Sequence, residues 1–171
     1  MRTAVVLGAL LLLTAQALDA QRARVWAGRR GVGRPAVELG IRTGYDFDVD
    51  AVLVGAQLRL PIGPTIEVVP SADYYFVSDG TAWQVNADVM VRTGFLQLLY
   101  GGVGGALTHR PFTVSDFTVP DDTKWGLNLS AGVSTPRFLP WRVRPYAEAR
   151  WTFVSEYDTQ FAIVGGANLR W

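Results

Sequence analysis

The stretch Asp158 to Trp171 constrains the chain most, because its side chains alternate to the last residue. In a strand, successive side chains point to opposite faces. One face reads Phe161, Ile163, Gly165, Ala167, Leu169, Trp171, and the other Gln160, Ala162, Val164, Gly166, Asn168, Arg170. A soluble domain usually frays into a polar tail at its end, but this apolar face does not. Alternation alone cannot say which face is wet, so a half-buried strand of a soluble protein stays open at this point.

The same period runs through most of the chain. It predicts strands over Ala36–Phe47, Ala51–Leu60, Thr65–Phe76, Thr81–Arg92, Phe95–Thr108, Thr123–Ser134 and Arg142–Phe153, with the closing strand making an even number. Pro61-Ile62-Gly63-Pro64, Ser78-Asp79-Gly80 and Thr93-Gly94 read as turns. Pro70 falls inside the third strand, where a proline implies a bulge or local break. His109 to Asp122 reads as the longest loop.

The N-terminus reads as an export signal. Arg2 supplies a positive start, Ala4 to Leu13 an apolar run, and Ala15-Gln16-Ala17 or Leu18-Asp19-Ala20 a small-residue cleavage site. The run is too short to cross about 30 Å of hydrocarbon as a helix. Residues 1–20 are therefore expected to be removed, 21–35 to form a flexible basic lead, and 36–171 to form one β-domain.

Three patterns bear on which face is wet. Tyr45, Phe47, Tyr74, Phe76, Trp83, Trp125, Phe153 and Phe161 sit on apolar faces at one end of the strands, with Phe95, Trp141 and Trp171 at the other. Two aromatic girdles around an aliphatic band suit the two interfaces of a bilayer. The polar faces are rich in glycine and serine, as the cramped interior of a small barrel requires. Charge also segregates: Asp46, Asp48, Asp50, Asp79, Asp116, Asp121, Asp122, Glu156 and Asp158 lie at one end, Arg92, Arg137 and Arg142 at the other.

With Gly166, Leu169 and the terminal Trp171, the closing strand resembles the C-terminal signal of bacterial outer-membrane β-barrels, although Val164 stands where that family has a polar residue. Over 36–171 the chain resembles the small barrels of the OmpA transmembrane-domain and OmpX type. The resemblance implies an all-β, eight-stranded antiparallel up-and-down transmembrane β-barrel in a Gram-negative-type cell envelope. It also implies that Gly166, Leu169 and Trp171 form an assembly signal for the barrel-assembly machinery. The expected partners are outer-membrane lipid and lipopolysaccharide, and the expected state is a monomer.

Turned inward, the polar faces would place Glu38, Glu67, Asp73, Asp88 and Glu148 beside Arg42, Arg59, Arg92, Arg144, Arg150 and Arg170. Near-equal opposite charge predicts paired ions plugging the lumen, since unpaired charge at that depth is costly. The single histidine, His109, has Ser115 and Asp116 nearby in sequence and is the weak catalytic candidate, for acyl transfer on lipid. A lone histidine with no cysteine makes a transition-metal site improbable, and no cofactor is expected. The net charge of +1 gives no general pull toward nucleic acid. The function expected is non-enzymatic, structural or surface-interacting, with specificity in extracellular loops. The alternatives are a lipid A-modifying hydrolase or acyltransferase using His109, or a conduit for a small hydrophobic ligand near Pro70.

Overall fold

A computed structural model describes residues 36–78, 81–93, 97–114, 117–137, 139–155 and 159–170, with backbone only over 110–114 and 117–122. The expected signal peptide, the basic lead, Asp79, Phe95, Ser115, Asp116, Glu156, Asp158 and Trp171 lie outside the described residues, as do the side chains of Asp121 and Asp122.

Eight strands form a closed barrel in chain order: β1 (Glu38–Asp46), β2 (Ala51–Pro61), β3 (Ile66–Phe76), β4 (Ala82–Thr93), β5 (Leu99–Val114), β6 (Phe117–Ser134), β7 (Val143–Val154) and β8 (Gln160–Arg170). Every neighbouring pair is antiparallel. β1 closes the barrel on β8 from Glu38 opposite Arg170 to Asp46 opposite Ala162. Closure leaves no sheet edge along the barrel wall, so each strand has a hydrogen-bonded neighbour strand on both sides.

The residue distribution is inverted relative to a water-soluble protein. Ile41 is 73 % exposed and Leu127 69 %, whereas Arg59 and Glu67 are fully enclosed. The period-2 pattern produces this directly: each strand turns its aliphatic row outward and its polar row into the lumen. Aromatic rings collect on the exterior near one end. Phe47 stacks on Phe161 at 5.6 Å between ring centres, Trp151 lies 5.1 Å from Phe161, and Tyr74 meets Phe76 edge-on at 5.4 Å.

At that end the β1–β2 turn is set by its aspartates. Oδ1 of Asp46 accepts hydrogen bonds from the N–H groups of Asp48 and Val49, each at 3.1 Å. Asp50 takes a φ of 55°, a left-handed conformation that Asp tolerates better than most residues.

Two expectations need correction or refinement. The segment His109 to Asp122 is not a loop: β5 continues to Val114 and β6 begins at Phe117, paired from Arg110–Asp122 to Val114–Phe117 around a register shift after Arg110. Alternating residues and β-branched side chains let the chain go on as a hairpin past the barrel rim. The longer connection between strands is instead 135–142, at the opposite end. At Pro70 the chain breaks pairing without bulging. The β2–β3 ladder stops after Gln57–Ser71 and resumes at Leu60–Val68 in the same register, while Pro70 still faces Ala87 of β4. A proline has no N–H to give on one side, and the loss is confined to that side.

Candidate functional site

The inward rows build three layers in the lumen. At the end opposite the aromatic cluster, Glu67 gathers three arginines: Arg59 donates from Nη1 to Oε2 at 3.3 Å, Arg92 donates from Nε to Oε1, and Nη2 of Arg137 lies 2.8 Å from Oε1. Beside them Arg144 donates to Oε1 of Glu38 at 2.5 Å and, from Nη2, to the Pro136 carbonyl at 2.7 Å. Two tyrosines sandwich this layer. The Arg59 guanidinium lies 4.8 Å from the Tyr100 ring centre and 5.1 Å from that of Tyr146.

The middle layer centres on Arg150. Its Nη2 donates to Oδ2 of Asp88 at 3.1 Å and to Oε1 of Glu148 at 2.9 Å, and its Nη1 lies 3.7 Å from Oδ2 of Asp73. Arg42 meets Asp73 at 2.9 Å through Nε. Tyr100 donates its hydroxyl to the other Glu148 oxygen at 3.0 Å. These charges are each a few per cent exposed or less, so their mutual attraction acts in a poorly screened space.

Above the charges lies a neutral layer of amides and hydroxyls. Gln84 donates to Asn86 at 2.6 Å, Asn128 donates to both Asn86 and Asp88 at 2.9 Å, and Thr152 donates to Asn128 at 2.9 Å. Ala51, Leu53, Tyr75, Ala82, Ala162 and Val164 then pack together as an apolar cluster inside the barrel. A second inward apolar group joins Val69 and Met90 to Tyr100. Inward side chains thus meet one another at several depths of the described barrel.

Of the residues singled out from sequence, Glu38, Arg42, Arg59, Glu67, Asp73, Asp88, Arg92, Arg144, Glu148 and Arg150 come together in the first two layers. Arg170 lies at the barrel mouth, in the inward row opposite Glu38 and partly exposed. Gly166 sits between Arg42 and Tyr146 in one cross-strand row, and Leu169 faces outward between Leu39 and Val143. The reading of charges alone missed Arg137, which comes from a connection and folds back into the lumen, where alternation has no purchase. It also missed the amide layer, although the parity of Gln84, Asn86 and Asn128 already placed them on the inward face.

His109 lies on the exterior. Its ring stacks on Trp83 at 5.2 Å with the planes 14° apart, and Nδ1 is 3.1 Å from Oγ1 of Thr123. Ser115 and Asp116, its candidate catalytic partners in the sequence, lie outside the described residues. Among the described residues no group of three or more His, Asp or Glu side chains gathers as metal ligands.

The backbone is similar to several solved structures. The N-terminal β-barrel domain of Pseudomonas aeruginosa OprF matches with a TM-score of 0.67 at 16% identity, over 80% of this chain and 97% of that one. Neisserial surface protein A (NspA) matches with a TM-score of 0.56 at 12% identity, over 79% and 94%. Ail, the attachment invasion locus protein of Yersinia pestis, matches with a TM-score of 0.53 at 15% identity, over 80% and 97%. No protein-family profile matches the chain, and no curated protein matches it in sequence. The likeness is one of fold: a closed, eight-stranded, all-antiparallel barrel of the small outer-membrane type.

Proposed function

We propose that this chain is an outer-membrane barrel protein, exported through a cleaved signal peptide, with a non-enzymatic structural or surface-interaction role. The observation that carries the reading is the inversion of the barrel, with Ile41 and Leu127 outside and Arg59 and Glu67 enclosed. An apolar band of that extent wrapped around a closed barrel suits hydrocarbon and is out of place in water. Lipopolysaccharide and lipid contact that band and its aromatic rim, and the barrel-assembly machinery reads the closing strand.

The interaction role falls to the β5–β6 hairpin. β4 pairs with β5 only as far as Trp83–His109, and β7 pairs with β6 only as far as Gly126–Val154. Past those pairs the hairpin continues through Val114 and Phe117 with neither flanking strand in register beside it. Such edges offer backbone N–H and C=O groups to an incoming strand. The ion-paired lumen acts as a plug, which argues against a conduit along the axis. Stacking of His109 on Trp83 supports a place in the aromatic rim over a place in a catalytic set.

The placement is tested by extraction and gel mobility. The mature protein should need detergent or lipid to stay dispersed and should migrate differently when boiled and unboiled; a monodisperse detergent-free monomer would sink the reading. Protease added to intact cells should cut within the hairpin. His109→Ala should leave lipid A composition unchanged.

A further inference from the structure

Tyr74 on β3 and Trp83 on β4 face each other across the ladder, yet each ring is taken up by another partner. Tyr74 meets Phe76 edge-on at 5.4 Å along its own strand. Trp83 lies flat on His109 of β5, the planes 14° apart. At this place the outer wall opens into a cleft of about 340 Å³, lined by Val54, Ala72, Tyr74, Trp83 and Val85. Asp73 and Gln84 also border it, but their side chains are buried in the lumen. Ligand pockets run from about 300 to 1,000 Å³, so the cleft suits a slender occupant.

Away from the aromatic end the wall beside the cleft stays low. Pro70 lies opposite Ala87, and Ala87 opposite Gly105, all in outward positions. A Cβ on Gly105 would have only the Gly126 carbonyl oxygen, 4.0 Å away, as a neighbour from another strand. Val54 on β2 and Val85 on β4 flank Ala72 of β3. Strands two apart lie about 9–10 Å from one another, and the two valine side chains narrow that to the width of a single hydrocarbon chain. A helix, about 10–12 Å across with its side chains, does not fit. The cleft is continuous with the apolar outer face that a transmembrane barrel turns to lipid, which makes a lipid chain its occupant. Its aromatic end carries the Tyr74 hydroxyl, the Trp83 indole and the His109–Thr123 pair, polar groups that belong at headgroup level.

We propose that this cleft is a lipid-binding site that seats one acyl chain of lipid A. The chain enters between Tyr74 and Trp83 and runs over Ala72 toward Ala87 and Gly105, leaving its headgroup at the aromatic rim. Lipid A is the source because the cleft lies at the hairpin end of the barrel, and this choice rests on the outer-membrane reading given above.

The test is native mass spectrometry of the full chain folded in detergent micelles that contain purified lipid A or phosphatidylethanolamine. The wild type should retain one lipid A through release from the micelle and should lose phosphatidylethanolamine. Ala72→Phe fills the cleft from the lipid side and should abolish retention. Ala149→Phe adds the same bulk at an outward position of β7, opposite Ala131, and should leave retention unchanged. Heat-modifiable gel mobility checks that each variant is folded. If Ala72→Phe does not fold, Val54→Phe narrows the same cleft from β2 and takes its place. A wild type that retains no lipid A, equal retention of phosphatidylethanolamine, retention that survives the cleft-filling change, or equal loss in Ala149→Phe would overturn the site. Those outcomes differ from failure of the outer-membrane reading, which would show as a barrel that stays monodisperse without detergent.

Discussion

Gln57 on β2 donates to Asn168 on β8 at 2.7 Å, passing over β1 at Gly40. The three residues share one inward row, and the bond exists because the middle one has no side chain. It ties together the two strands that flank β1, 111 positions apart in the chain. A Cβ on Gly40 would strike Oδ1 of Asn168 and come within 3.1 Å of Cγ of Gln57.

Gly40→Ala should therefore destabilise the barrel by about 1–3 kcal/mol, the usual range for overpacking a filled core. Asn168→Ala introduced together with it removes the struck atom, so the pair should cost less than the sum of the two single changes. Urea titrations in lipid measure both.

Arg150 serves three carboxylates, so Arg150→Gln should cost roughly 3–5 kcal/mol by leaving buried charge uncompensated. Arg170→Gln, at the partly exposed mouth, should cost well under half of that. Equal losses in a refolding titration would show that burial does not control the price of these charges.

Leu127→Arg should cost about 2–4 kcal/mol if this row lies in hydrocarbon, with the cost falling toward the barrel ends. Moving the arginine to Leu129 and then Val133 maps that depth. The neighbouring inward residue is no mild control, because Asn128 is buried and bonded to Asn86, Asp88 and Thr152. A cost that is flat along the outward series would refute the lipid-facing assignment.

Trp171→Asp should impair membrane assembly more than a charge placed at Ser115. Heat-modifiable folded protein, counted per cell, reads the difference. Equal yields would remove the terminal aromatic from the assembly signal.

Sequence by itself determined which way each strand residue points. The backbone period of two fixes parity without reference to any other strand, and so Glu38, Arg42, Asp88 and Arg150 were legible as inward residues and Leu127 and Leu129 as outward ones. Turn chemistry at Pro61-Ile62-Gly63-Pro64 set where β2 gives way to β3, whereas the hydrogen bonds that Asp46 accepts in the β1–β2 turn emerged only from the structure. Parity carries no information about height or about partners across the lumen. Only closure of β8 on β1, with its particular register, decided that Arg144 meets Glu38 and that Arg42 shares Asp73 with Arg150. The same holds for Arg137, brought to Glu67 by a connection with no period to read, and for the β5–β6 hairpin, whose pairing depends on two segments meeting beyond the barrel wall. Local geometry is written residue by residue, whereas the choice of partner depends on how far each strand is displaced along its neighbour when the sheet closes.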